Sequence, residues 1–172
     1  MNIIRKLNEH IEEWIVVMLL VISLSAISLQ MFMRYFLNNS LAWSEELARY
    51  CFIWLIYIGI AYAVKKSRHI TLDIVYDLVP DLVKKIFLLI SNILVGIFAL
   101  FVIYYSYFLI EQLMTYGQTS AAMRIDMVYV YLSVPIGMVL TLIRLLQNTF
   151  YIIKNWGTLK LKEEDIEGGS SL

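Results

Sequence analysis

Four long runs without a charged residue decide what this sequence can fold into. They cover residues 14–33, 50–64, 86–110 and 127–143. A helix needs about 20 apolar residues to cross a hydrocarbon core of ~30 Å, so the first and third runs suffice alone. The second run is short. The fourth run is extended by the uncharged stretch that follows Arg144, whose side chain we expect to snorkel to the surface. We therefore predict four transmembrane helices.

The composition excludes an ordinary soluble domain. Of 172 residues, 60% are hydrophobic and only 16% are charged, and the mean hydropathy is +0.73. A net charge of zero, without a basic block interleaved with aromatic residues, argues against nucleic acid as a partner. The first run is longer than a signal-peptide core and no small-residue cleavage site follows it, so we expect it to be retained. We predict an all-α integral membrane protein that contacts lipid.

The expected organisation is one membrane domain, residues 1–159, followed by a disordered cytoplasmic tail, residues 160–172. The predicted spans cover about residues 14–34, 43–65, 84–110 and 127–150. Between the second and third spans, residues 70–83 repeat apolar side chains every four residues, and Asp73 belongs to an acidic series on the same step. This pattern predicts a short amphipathic segment at the membrane surface rather than a calcium loop.

The lysine and arginine residues predict the orientation. They are concentrated before the first span, between the second and third spans, and after the fourth. Cytoplasmic segments carry the excess of these residues in membrane proteins. Both termini are therefore expected in the cytoplasm, and the other two connections are expected on the outer side.

The sequence offers no group typical of catalysis or cofactor binding inside the membrane. The only histidines, His10 and His69, lie outside the spans, and Cys51 is the only cysteine. We therefore expect no haem, no metal, no other cofactor and no enzymatic activity. The span centres are uncharged, which is unexpected for a carrier working alone. Gln30 and Asn92 are the main polar exceptions, and each can hydrogen-bond a neighbouring helix.

A charged cluster, Trp-Ser-Glu-Glu-Leu-Ala-Arg at residues 43–49, stands at the start of the second span. The indole of Trp43 suits the headgroup layer. Glu45 and Arg49 have the spacing and order of an intrahelical ion pair, and Glu45 and Glu46 both favour a helix N-terminus. Two interpretations remain open here: a solvated helix entrance, or a docking site at the lipid boundary.

Small residues in the spans indicate where helices can approach each other. Ser133, Gly137 and Thr141 form a stripe on the fourth span. Gly59 and Ala63 form a pair four residues apart on the second span. In the fourth span, Pro135 removes a backbone hydrogen bond and can kink the helix.

The same residues resemble a known family. The similar positions are Arg34, the 43–49 cluster, Gly59, Lys66, Arg68, His69, Ile70, Leu72, Asp73 and Pro80. This pattern is similar to the small membrane subunit (DctQ type) of tripartite ATP-independent periplasmic (TRAP) transporters. In helix count the resemblance extends over nearly the whole chain, and its specific motif covers residues 34–80. Arg68 departs from the family, which often has glycine there.

The resemblance implies a bacterial inner-membrane complex. In such a complex a large multi-span transport subunit moves the substrate together with sodium, a periplasmic substrate-binding protein delivers it, and the small subunit is a fixed, non-catalytic support. The cargo would be an organic acid such as a C4-dicarboxylate or a sialic acid, with a preference for the sialic acid systems. The residues predicted to serve assembly are Arg34, Trp43, Glu45, Glu46, Arg49, Gly59, His69 and Asp73.

Two other classes of protein stay open from the residues alone. A stand-alone small membrane carrier would need a charged group that faces a cavity within the membrane. A membrane sensor or assembly factor would use the segment after His69 to recruit a cytoplasmic partner. Copurification of a much larger membrane protein would distinguish the transporter subunit from both.

Overall fold

The computed structural model describes residues 2–39, 41–66 and 81–154. The described residues form five helices: α1 (Asn2–Phe36), α2 (Ala42–Lys66), α3 (Asp81–Tyr116), α4 (Met127–Tyr131) and α5 (Ser133–Lys154). Four segments are long and apolar enough to cross a membrane, the last of them formed by α4 and α5 together. The described part of the chain contains no β-strand. The predicted all-α, four-span fold class is confirmed.

The helices form a row rather than a closed bundle. Helix α1 packs against α2, α2 against α5, and α5 against α3, so that α1 and α3 occupy the two edges. Residues 37–39 and 41, which follow α1, and the connection at residues 117–126 lie at one end of the row, which we call the loop end. The start of α1 and the ends of α2 and α5 lie at the opposite end, which we call the terminal end.

The contact between α2 and α5 is the tightest in the row. An ideal Cβ placed on Gly137 would lie 2.6 Å from Tyr57 Cβ and 2.7 Å from the Tyr57 carbonyl oxygen. Ser133 and Thr141 are buried above and below this point, and their hydroxyls donate to the carbonyls of Val130 and Gly137. The predicted small-residue stripe on the fourth span is therefore confirmed as a helix contact.

The fourth span is interrupted at Leu132, between α4 and α5. Pro135 lies three residues later, and its missing N–H removes one bond from the helical ladder. The chain still continues in the same direction, because the N–H of Leu132 donates to the Val128 carbonyl and the N–H of Ile136 to the Leu132 carbonyl. A kink of the helix axis at Pro135 stays a prediction.

Helix α3 is longer than its predicted span, about residues 84–110, and runs from Asp81 to Tyr116. It therefore carries Glu111 on an extra turn and a half at the loop end. The predicted surface segment lies almost entirely outside the described residues, as does the predicted tail.

Candidate assembly site

The charged cluster predicted from the sequence forms the start of α2. Ser44 anchors this start, because its hydroxyl donates to the Leu41 carbonyl at 2.8 Å and its own N–H donates to the same oxygen at 3.2 Å. The side chain of Ser44 is fully buried. The first turn of α2 is thereby fixed against the short connection that follows α1.

Glu46 ties α2 to the connection between α3 and α4. Its Oε1 accepts from the N–H of Ala122 at 3.1 Å, and its Oε2 accepts from the N–H of Met123 at 3.0 Å. The side chain is buried, with 6% of the residue exposed. A carboxylate that accepts two adjacent main-chain N–H groups forms a charge-assisted anchor, which is stronger than neutral hydrogen bonds. Glu46 is therefore neither solvated nor a free docking group.

The anchored connection, residues 117–126, has its own internal structure. Thr119 and Asp126 form an isolated antiparallel bridge. The N–H of Ser120 donates to the Ile125 carbonyl at 2.8 Å, and the Ser120 hydroxyl accepts from the N–H of Ile125 at 3.2 Å. Arg124 turns the chain with a φ of 54°, a conformation uncommon for residues other than glycine. The carboxylate of Glu46 thus holds a compact turn and not an extended loop.

Glu45 contacts a neighbouring helix and does not pair with Arg49. The Gln30 side-chain amide on α1 donates to Glu45 Oε2 at 3.2 Å. Within the described residues no ion pair joins Glu45 and Arg49, and the Arg49 guanidinium instead lies 5.8 Å from the centre of the Tyr50 ring. The predicted intrahelical pair is wrong, because the amide of Gln30 occupies the carboxylate and the ring attracts the cation. The predicted bridging role of Gln30 is confirmed.

Besides Glu45, three of the predicted assembly residues are exposed at the loop end. Arg34 lies in the last turn of α1, Trp43 in the first turn of α2, and Arg49 one and a half turns later. All three side chains are exposed. We call Arg34, Trp43 and Arg49 the exposed loop-end set.

The other predicted assembly residues are separate from this set. Gly59 lies in α2, and a Cβ added there would meet nothing within 4 Å, so no close helix contact among the described residues explains this glycine. His69 and Asp73 lie outside the described residues.

A second charged group lies at the terminal end, and its pairing was not predicted from the sequence. Arg144 Nε donates to Glu12 Oε1 at 2.7 Å, and Lys65 Nζ lies 3.3 Å from Glu12 Oε2. Arg144 also donates to the Gln147 side chain at 2.8 Å. Glu12 and Arg144 are both buried. The group joins α1, α2 and α5, which are adjacent in the row.

The prediction that Arg144 snorkels to the surface is therefore wrong. Its guanidinium turns inward because Glu12 lies at the same depth on α1 and offers a buried anionic partner. The sequence did contain a sign of this ion pair. Arg144 is a lone charge in the otherwise uncharged fourth span, and Glu12 lies just before the first uncharged run. No spacing rule links positions that are 132 residues apart.

The chain matches the family described as tripartite ATP-independent periplasmic transporters, DctQ component, over residues 23–155. It belongs to the DctQ family. The match includes the start of α2, the Glu46-anchored turn and Arg144, and so covers most of both charged groups. As in other members of this family, the chain is a small permease component and a multi-pass inner membrane protein. The resemblance found in the sequence is confirmed.

Relatives of this DctQ chain carry related descriptions. It is 33% identical, over 81% of its length and 82% of the other protein, to a Haemophilus influenzae protein described as a TRAP transporter small permease. It is 31% identical, over 90% and 88%, to the sialic acid TRAP transporter small permease SiaQ of Vibrio cholerae. It is also 35% identical, over 62% of its length, to the isethionate TRAP transporter permease DctMQ of Oleidesulfovibrio alaskensis, of which the match covers only 17%.

The DctQ chain holds no apparent metal centre in the part that the structure describes. Among those residues, no three histidine, cysteine, aspartate or glutamate side chains lie close enough together to hold an ion. The charged groups at both ends contact other parts of the same chain. Their geometry is that of anchors between helices and connections.

Proposed function

We propose that this chain is the small, non-catalytic membrane subunit of a sodium-coupled, binding-protein-dependent importer of an organic acid. The observation that carries this proposal is the uncharged centre of every span. A site for an organic anion and sodium needs cationic groups, oxygen ligands or helix N-termini near mid-membrane. The charges of α1, α2 and α5 lie at the two ends of the row. The transport site would therefore belong to another chain.

A large multi-span transport subunit is the proposed main partner. The isethionate permease DctMQ supports this, because a segment similar to this chain makes up a small part of that much longer protein. Sialic acid and isethionate, named for two of the relatives, are both organic anions. They support an organic acid as cargo, with a sialic acid or a C4-dicarboxylate as candidates.

The loop end is proposed to face the periplasm, with both termini in the cytoplasm. The excess of lysine and arginine at the terminal end supports this orientation. A periplasmic binding protein would then meet the exposed loop-end set. Arg34 and Arg49 have no carboxylate partner within the described residues, so their charges are available to a docking protein that carries acidic groups.

Reconstitution in liposomes tests the proposed function. The purified chain alone should give no solute uptake above protein-free liposomes under a sodium gradient. Adding the large subunit and the binding protein should give uptake that depends on sodium. The matched control is liposomes that contain the large subunit and the binding protein but not this chain. Their solute uptake should be deficient. Saturable, sodium-driven uptake by this chain alone would favour a small carrier instead.

A further inference from the structure

One edge of the helix row carries a group of exposed aromatic side chains whose rings pack against one another. Helix α3 presents Phe101, Tyr104, Tyr105, Tyr107 and Phe108 on consecutive turns, and we call these residues the aromatic edge. Their rings pack in pairs, with centroids from 4.5 to 5.8 Å apart. All five are exposed, whereas Ala99 and Ser106, which share the face of α3 toward α5, are buried.

The depth of two of these tyrosines is inconsistent with a simple role as headgroup anchors. The uncharged run of α3, residues 86–110, is about 37 Å long at 1.5 Å per residue. A hydrocarbon core of ~30 Å centred on it would end near Phe108. Tyr104 would then lie about 6 Å inside that limit and Tyr105 about 4 to 5 Å inside.

The direction of the side chains increases this depth. On a helix the Cα–Cβ bond tilts toward the N-terminus, and long side chains lie over the preceding turn. The N-terminus of α3 is at the terminal end. The hydroxyls of Tyr104 and Tyr105 are therefore directed toward mid-membrane and away from the nearer headgroups.

Neither hydroxyl has an acceptor among the residues that the structure describes. Within the described residues, Tyr104 and Tyr105 make no hydrogen bond, although 61% and 55% of their surfaces are exposed. Ser25 and Ser28 on α1 are also exposed, but a serine hydroxyl can bond the carbonyl one turn back on its own helix. A tyrosine hydroxyl is too far from its backbone to do this. Acyl chains offer no acceptor, so a hydroxyl left among them carries a desolvation cost.

We infer that the aromatic edge of α3 is the surface that seats the large transport subunit within the membrane. This inference rests on the proposed function. A partner helix supplies what lipid tails lack, namely carbonyl or side-chain oxygens for Tyr104 and Tyr105 and apolar surface for Phe101 and Phe108. On this inference the opposite edge, α1, would face lipid, and the row would have one protein-facing and one lipid-facing edge.

Site-specific photo-crosslinking tests the inference in cells that express the whole transporter. Benzoylphenylalanine replaces Phe101 or Phe108 in one set of strains. It replaces Phe32, which is equally exposed on α1, in the matched control. Irradiation should join positions 101 and 108, but not 32, to the large subunit. Adducts from position 32 alone, adducts between two small subunits, or no adduct in a complex that still copurifies would each overturn the inference.

A second measurement tests the contribution of the Tyr104 and Tyr105 hydroxyls to binding of the large subunit. The variant carrying Tyr104→Phe and Tyr105→Phe should bind the large subunit roughly tenfold more weakly, the effect of losing two hydrogen bonds between membrane helices. Tyr129→Phe, an exposed tyrosine on α4, is the control and should bind like wild type. Equal binding of all three proteins would overturn the inference while leaving the proposed function intact. Failure of the wild-type chain to copurify with a large subunit would overturn both.

Discussion

Glu46 and Glu45 are neighbours in sequence with different roles in the structure. Glu46 is buried and accepts two main-chain hydrogen bonds from a turn 76 and 77 residues away. Glu45 is exposed and accepts one hydrogen bond from Gln30. Replacing Glu46 leaves two N–H groups of the turn without their charged acceptor, whereas replacing Glu45 leaves one exposed amide that water can reach. The two residues therefore provide a matched comparison.

We expect Glu46→Ala to release the 117–126 connection. Two hydrogen bonds to a charged acceptor, which are stronger than neutral ones, are lost, so the free energy of unfolding should fall. Trypsin should also cleave faster after Arg124, which lies in the anchored turn. Glu45→Ala should leave the cleavage rate unchanged. Equal rates in both variants would contradict the anchoring role of Glu46.

At the terminal end, removing one member of the buried ion pair should cost more than removing both. Arg144→Ala leaves the buried Glu12 carboxylate with Lys65 as its remaining ion-pair partner among the described residues, and we expect a loss of about 3 kcal/mol or more. The double variant Glu12→Leu with Arg144→Met keeps the volume without the charges and should recover most of this loss. The fraction of protein that stays monodisperse after heating, measured by size-exclusion chromatography, ranks the stability of the wild type and the two variants. A double variant less stable than Arg144→Ala would show that the unpaired Glu12 charge is not the cause of the loss.

At the scale of the helices, close packing of complementary surfaces holds α2 and α5 together. The stripe of small residues on α5 lets the backbone of α2 approach at Tyr57, and polar side chains join other helices across the row. Asn92 on α3 donates to the Thr149 hydroxyl on α5 at 3.3 Å, as predicted for a polar residue within a span. In lipid, such close packing and interhelical hydrogen bonds replace the hydrophobic effect as the source of helix association.

The contact between α2 and α5 predicts opposite results for two glycines. Gly137→Ala places a methyl group within 3 Å of the Tyr57 backbone and should lower thermal stability by about 1 to 3 kcal/mol, because the helices must separate. Gly96→Ala meets nothing within 4 Å and should be neutral or stabilising by up to about 1 kcal/mol, since alanine favours the helix. Thermal unfolding in detergent measures both. Equal destabilisation would show that the contact is not tight.

At the scale of the whole molecule, the row has two chemically different ends. The terminal end carries most of the lysines and arginines of the sequence. The loop end carries the turn anchored by Glu46 and the exposed loop-end set. Such an asymmetry fixes orientation during membrane insertion. It also separates the surface that a soluble protein can reach from the helix edges that only a membrane partner can contact.

Cysteine labelling tests this orientation. In a Cys51→Ser background the chain contains no cysteine, so each introduced thiol reports one position. A maleimide that cannot cross the inner membrane should label Thr119→Cys in intact cells. It should label Ser67→Cys only after the membrane is permeabilised. Labelling of Ser67→Cys in intact cells would reverse the orientation.

The sequence by itself determined the number of membrane spans, their approximate bounds and the family. Uncharged runs are a local property, and a bilayer of fixed thickness converts their length directly into spans. The 43–49 motif identified the start of α2 as important. Gln30, Asn92 and the stripe that includes Gly137 were also readable, because a polar or small residue in an apolar span has few other uses.

Only the tertiary structure decided which helices are neighbours and which charges meet. In a soluble helix the buried face repeats every 3.6 residues, but α2 and α3 are apolar all around, so their sequences do not mark the packed side. The order of the row therefore could not be read from the sequence. The partners of Glu46 and Arg144 depend on that order: it places the 117–126 turn beside α2, and it brings Glu12 on α1 within reach of α5.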